Sequence, residues 1–464
     1  MAGSPYPQLS PDSKLFESDM TLAASQACGK ASDGEKAYSM SDAVSASSGE
    51  EDYPDGGLRA WMIVFGCTCG AFATFGYLNA WGVFQAYYEE NTLQHVSPST
   101  IAWIGSIQNA FVFFPGLITG RMFDKGYLKL PLAIASVVLV MSTFLIAQCS
   151  KYWHFLLCQG FATGICSGII FGPMIGVLAH WFKKRKSVAF SLASLGSAIG
   201  GITFPIVSRN LIPRVGFAWT MRILGFIQLA ALIITNLTLS RRLPLKPSTP
   251  SLVDFRAFKE PAYTIFCAAG FLGFLGLTTL LTYIDISAVS VGIPSNFAFY
   301  LVSVVNGGSA VGRLIGAPIA DRLGAVSVLA PASCLAAATT FAWPFARSKA
   351  EFVVVALFFG IAWGNFSALM FTPIVELSKV EDVGTRIGMF TTILACGSVL
   401  GPPISGAINE RTGTYVPVAV FAGWATLFPV DIENVASAVH DPTIHHNTVT
   451  LLDLLESVIW QITW

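Results

Sequence analysis

Charge is what this sequence lacks most. Only 12% of its 464 residues are Asp, Glu, Lys or Arg, about half the usual soluble share. The 27 acidic and 27 basic residues cancel, so nothing suggests the basic surface that a nucleic-acid partner needs. Paired metal-ligand spacing is missing too. Cys67, Cys69, Cys149, Cys158, Cys166, Cys267, Cys334 and Cys396 lie in or beside apolar blocks and read as small packing residues rather than disulfides or ligands. There is no phosphate-binding glycine loop, no His-rich membrane cluster and no Ser–His–Asp set at membrane depth. These gaps argue against an enzyme and against an ATP-driven pump. No metal and no other cofactor is expected. The start carries no signal-peptide pattern, and Ala2 stands where myristoylation requires glycine.

Apolar residues fill the space that charge leaves. They make up 53% of the chain, phenylalanine alone occurs 35 times, and mean hydropathy is +0.62. A soluble domain of this composition would lack polar surface to cover itself, whereas a polytopic membrane protein contacting lipid would not. Residues 1–54 differ, with eleven serines and nine acids against three lysines, and are expected to be a disordered cytosolic tail. Apolar blocks then recur at about 60–86, 101–120, 128–148, 153–181, 187–208, 218–239, 261–290, 296–319, 325–346, 351–376, 385–408 and 415–430. Eleven meet the roughly 20 residues that a spanning helix needs; the twelfth is short.

The longest polar break divides the blocks six and six. This gives an N-terminal half at 55–240, a cytosolic linker at 241–260, a C-terminal half at 261–430 and an atypical tail at 431–464. With the N-terminus in the cytosol, 15 basic residues fall in inner loops and six in outer loops, as the positive-inside rule requires. The halves also repeat. Asp124-Lys125 is answered by Asp321-Arg322, Pro173 by Pro373, and Gly196-Ser197-x-x-Gly200 by Gly397-Ser398-x-x-Gly401. Two six-helix halves in parallel pseudo-repeat resemble the twelve-helix major facilitator fold, an all-α membrane architecture whose substrate site lies between the halves.

Small and polar residues inside the blocks mark candidate contacts. Glycines recur every four residues at Gly160–Gly176 and again at Gly308, Gly312 and Gly316; they suit either static helix packing or a sliding seam. Arg313 is the clearest intramembrane charge, about 8 Å to the inner side of the midplane by helical rise. Its guanidinium suits a substrate carboxylate or a structural partner on another helix. Gln108, Asn109, Asn306 and Asn365, with Asn79 and Tyr283, are expected to line a polar cavity, although each alone equally suits an interhelical hydrogen bond.

Two motifs carry a closer resemblance. Asp55-Gly56-Gly57-Leu58-Arg59-Ala60-Trp61, and Trp181-Phe182-Lys183-Lys184-Arg185 leading through Ala189 and Gly196 to Gly200, resemble signatures of the monocarboxylate porters, in particular their fungal branch. The likeness covers about 53–425. It implies a secondary active carrier of a small organic molecule: an organic anion, a monocarboxylate-like compound or a fungal secondary metabolite, with efflux as one direction of transport. It also implies alternating access, protons as a possible coupling ion, lipid as solvent and residence in the plasma membrane. Related carriers close the inner face with acid–base contacts, which assigns gating to Asp124, Lys125, Asp321 and Arg322. The sequence departs from the proton–lactate pattern at Asn79, where those porters have lysine, and at Ser309, where they have an acid one turn before the arginine matching Arg313. These departures point away from lactate towards a larger anion or a neutral metabolite. The alternative from another class is a membrane sensor that binds a metabolite without moving it.

Overall fold

The computed structural model of the chain describes residues 55–242, 253–378 and 382–427. The expectations for 1–54 and 431–464 lie outside these residues, as does most of the linker. Among the described residues, ten helical runs are long and apolar enough to cross a membrane. They are α1 (Leu58–Thr92), α2 (Pro98–Asp124), α3 (Lys129–Ile146), α4 (Tyr152–Trp181), a 53-residue run (Lys186–Thr238), α7 (Pro261–Ser290), α8 (Ser295–Leu323), α9 (Val326–Phe345), α10 (Lys349–Glu376) and α11 (Val383–Thr412). The long run is two helices. Gly216 breaks it with φ 79° and ψ 162°, a conformation closed to most side chains, so 186–215 is α5 and 217–238 is α6. A shorter apolar helix, α12 (Val416–Leu427), follows. No strand occurs among the described residues. In lipid this is the expected solution, because a helix satisfies every backbone N–H and C=O within its own segment.

The repeated glycines do the same work twice. In α5, a side chain at Gly196 would strike the Thr68 carbonyl of α1, and Gly200 lies against Gly76 of α1. In α11, Gly397 and Gly401 lie against the Phe271 and Leu275 carbonyls of α7. Each Gly-Ser-x-x-Gly pair therefore lets one helix pack backbone to backbone on the first helix of its own half. The stripe on α4 packs on α2, from Gly164 against Gln108 to Gly176 against Phe123. The stripe on α8 packs on α10, with Gly308 and Gly312 against the Leu357 and Ile361 carbonyls. Both stripes thus lie inside a half, where they stiffen it, rather than at a seam between halves. α12, although short, is tied in: Gly276 of α7 meets Ala422 and Thr426, and Gly423 meets Phe341 of α9.

Helices α2, α4, α6, α8 and α10 end, and α1, α3, α5, α7, α9 and α11 begin, at one end of the bundle. We call it the basic end, after Arg121, Lys125, Lys183–Lys186, Arg241, Arg322 and Arg386.

Candidate functional site

Two carboxylates cross between the halves at the basic end. Asp124 closes α2 and is buried. It accepts from the backbone N–H of Gly384 (3.0 Å), the N–H of Thr385 (2.7 Å) and the Thr385 hydroxyl (2.7 Å), at the start of α11. Asp321, near the end of α8, accepts from the N–H groups of Ser187 (2.8 Å) and Val188 (3.2 Å) at the start of α5. The first turn of a helix has N–H groups without intrahelical partners and a partial positive charge. A carboxylate there is satisfied without a basic side chain. The acceptors 124 and 321 and the donors 187/188 and 384/385 share one offset, so the two contacts are copies of each other across the halves.

These partners bear on one expectation. Acid–base side-chain contacts were expected at Asp124 and Asp321, with Lys125 and Arg322 among the gating residues. Instead, Lys125 and Arg322 are exposed, and no hydrogen bond or ion pair of their side chains is formed among the described residues. The basic group that does reach Asp124 is Arg241, which donates to the Phe123 and Asp124 carbonyls at 2.6 and 3.3 Å. Burial pulls the Arg241 guanidinium below its ordinary pKa, and the Asp124 charge raises it again. A separate clamp ties α7 to α11: Arg386 grips Glu260 with both terminal nitrogens, at 2.7 and 2.6 Å, a bidentate geometry specific to arginine.

A third acid belongs to this end, and sequence reasoning gave it no role. Asp55 accepts from the N–H groups of Lys183 (2.6 Å), Lys184 (2.7 Å) and Arg185 (3.4 Å). The two motifs that carried the resemblance are therefore one unit. Trp61 meets Phe182 with ring centroids 5.3 Å apart, and the guanidiniums of Arg59 and Arg242 sit over Trp181 at 5.6 and 5.5 Å. Nothing in the separate motifs says that they touch.

Arg313 lies deeper, in the seam where α5, α8 and α10 meet. It is 4% exposed. Nη1 donates to the Ser194 carbonyl (2.6 Å) and the Ser197 hydroxyl (2.8 Å) on α5; Nη2 donates to the Ser367 hydroxyl (2.9 Å) on α10. No acid is bound to it among the described residues. A carbonyl dipole and two hydroxyls compensate the charge. Its side chain joins the halves, because Ser194 and Ser197 belong to one and Ser367 to the other.

The expected cavity amides do not converge. The Asn306 side chain lies beside Gly201 of α5 and donates to Val302 on its own helix (3.0 Å). Asn365 lies beside Gly316 of α8 and donates to Ile361 (3.0 Å). These two share the α5–α8–α10 seam with Arg313. Gln108 is buried, with Nε2 unpartnered, on the α2–α4 contact. Its neighbour Asn109 reaches across the halves to Ser398 of α11 (3.2 Å). Asn79 donates to Phe75 (2.9 Å) where α1 is broken after a π-helical turn, Phe72–Gly76. Tyr283 donates to the Pro402 carbonyl of α11 (2.9 Å), far from the basic end.

The centre of the bundle is aromatic. Phe113 of α2 meets Phe274 of α7 at 5.5 Å, and Phe171 of α4 meets Phe371 of α10 at 5.7 Å. Both contacts cross the halves. Composition announced many phenylalanines but not which of them would meet.

Comparison with known proteins agrees with this architecture. The sequence profile of the Major Facilitator Superfamily matches residues 66–305 and 266–441. The aspyridones efflux protein apdF of Emericella nidulans is 34% identical over 82% of this chain and 77% of its own. The riboflavin transporter MCH5 of Saccharomyces cerevisiae is 31% identical over 81% and 77%. Among solved structures, the human organic anion transporter MFSD10 superposes with a TM-score of 0.65 at 14% identity, over 82% of this chain and all of its own.

Proposed function

The chain belongs to the Major Facilitator Superfamily, and on that premise we propose that it exports a small organic metabolite by secondary active alternating access. It is an integral membrane transporter and not an enzyme. The export direction and the metabolite class are our reading, supported by the likeness to the aspyridones efflux protein. The observation that carries alternating access is the pair of carboxylate caps. Asp124 and Asp321 each hold the first turn of a helix in the opposite half. Such contacts close one end of the bundle with hydrogen bonds that break together when the halves rock apart. The halves, 55–240 and 261–430, are the rocking units in this proposal, and the basic end faces the cytosol of a plasma-membrane protein. The proposal keeps the monocarboxylate-porter-like branch for the chain and protons as the driving ion. It places the substrate among medium-sized organic acids and neutral metabolites rather than lactate.

Flux decides it. The full chain in liposomes with an imposed pH gradient is expected to move solute only in the presence of that gradient, and a deletion strain is expected to retain a metabolite that the parent strain secretes. Binding without gradient-driven flux of any solute in a metabolite panel would instead leave a sensor.

A further inference from the structure

We propose that the aromatic cluster between the halves is the substrate clamp, and that it selects flat, conjugated molecules with a polar edge rather than aliphatic carboxylates. The inference rests on the transporter reading above and names the substrate class of its central site. Three observations support it. First, the rings form one connected set across both halves. Phe75 meets Phe113 and Phe171 at 5.8 and 4.7 Å, Phe113 meets Phe274 at 5.5 Å, Phe274 meets Trp363 at 5.8 Å, and Phe171 meets Phe371 at 5.7 Å. Counted from the basic ends of their helices, Phe113, Phe171, Phe274 and Trp363 lie about 15–20 Å deep, near the midplane. Phe75, Phe171 and Trp363 are only partly buried. Each touches a ring that bridges the halves, and the proposal assigns their open faces to the space between the halves.

Second, a polar pair lies just beyond the rings. Asn109 is one turn from Phe113 on the same face of α2, and its amide meets Ser398 at 3.2 Å. Asn109 is half-buried, and its carbonyl oxygen accepts no hydrogen bond among the described residues. Ring faces below and an amide and hydroxyl above suit a planar molecule whose rim carries carbonyl or hydroxyl groups. Third, the one cation at comparable depth on the seam among the described residues is engaged. Arg313 gives three hydrogen bonds to Ser194, Ser197 and Ser367, so binding a carboxylate there would require breaking contacts that join the helices.

The test is equilibrium binding to the full chain in lipid nanodiscs, using 1,8-dihydroxyanthraquinone as the planar probe and octanoate as the aliphatic competitor. The quinone is expected to bind and octanoate not to displace it. Phe171→Leu and Trp363→Leu keep apolar bulk but remove a ring, and each is expected to weaken quinone binding roughly threefold to tenfold. Phe171→Tyr keeps the ring and is expected to bind like wild type, which separates stacking from misfolding. Absence of quinone binding, displacement by octanoate, or unchanged binding in both leucine variants overturns the clamp. Gradient-driven flux is measured separately. If flux of other solutes persists while the quinone fails to bind, the clamp is wrong and the transporter reading stands. If the quinone binds with the expected ring dependence but no solute moves, the transporter reading is wrong and the clamp stands.

Discussion

Two seams join the halves, and they are made of different material. Between α2 and α11 the helices approach through glycine, with Gly120 against the Gly384 carbonyl and Gly388 against that of Gly116, and few side chains join them, chiefly Thr391 at Gly116 and Asn109 on Ser398. Between α5 and α8 the contact is made through side chains: Arg313 on the serines, Asn306 beside Gly201, and Arg209 on Asn296 at 2.6 Å. Both seams end in a carboxylate cap, yet the caps are unequal. Asp124 is buried with three donors, while Asp321 is half-buried with two. Where glycine meets glycine there is no side chain to adjust, so that stretch is either closed or open. A side-chain seam can exchange partners as the helices move.

The harshest way to break this contrast is to give the glycine seam a side chain. Gly384→Val would place a branched side chain between the Gly120 carbonyl and the Asp124 carboxylate. Overpacking costs about 1–3 kcal/mol, and here it falls on the closed state. Transport per molecule is expected to drop by tenfold or more, with a cysteine placed at the basic end labelled faster. Wild-type flux and labelling would show that the seam is not needed for closure.

Asp124→Asn should come next. It removes charge-assisted hydrogen bonds worth about 1.5–3 kcal/mol and the attraction to the α11 dipole. We expect roughly a tenfold change in transport rate with little change in the amount of folded protein. Loss of protein at an unchanged rate per molecule would make the cap structural.

Arg313 tests the side-chain seam. Arg313→Lys retains the charge but loses the fork that reaches Ser194, Ser197 and Ser367, and Arg313→Gln loses both. We expect rates to fall about threefold to tenfold, further for Gln than for Lys. Neutral and carboxylate solutes should suffer alike in vesicle assays normalised to surface protein. A loss confined to carboxylates would return Arg313 to the substrate site.

The smallest effect is expected at Asp321→Asn, about threefold in rate, since a half-exposed cap with two donors competes with water. If it matched or exceeded Asp124→Asn in the same assay, the inequality of the two seams would be refuted.

Parts of this machinery were legible in the sequence. Asp124 and Asp321 stood out because they repeat after a basic-end helix, and Arg313 because charge in an apolar block is expensive. Their partners were hidden for a physical reason. A helix N-terminus binds through backbone N–H groups, which every residue but proline has, so Gly384, Thr385, Ser187 and Val188 carry no mark. Ser194, Ser197 and Ser367 are three of many serines, and only proximity to a guanidinium distinguishes them. Asp55 stood inside a quoted motif, yet its donors lie 128–130 residues away. The glycine stripes were visible as stripes. Their role was not, because periodicity names the face of a helix but not the helix that meets it.

The sequence alone determined that the chain crosses a membrane many times, that it does so with helices, and that its halves repeat. Those properties follow from local composition: apolar runs of sufficient length must become helices in lipid, and a duplicated pattern survives as an offset. The tertiary structure decided what touches what. It sent both aspartates to helix ends in the opposite half, engaged Arg313 with serines, and gathered phenylalanines from α1, α2, α4, α7 and α10 at the centre. Such contacts join residues tens to hundreds of positions apart, and their energy depends on distance and burial, which no linear pattern contains.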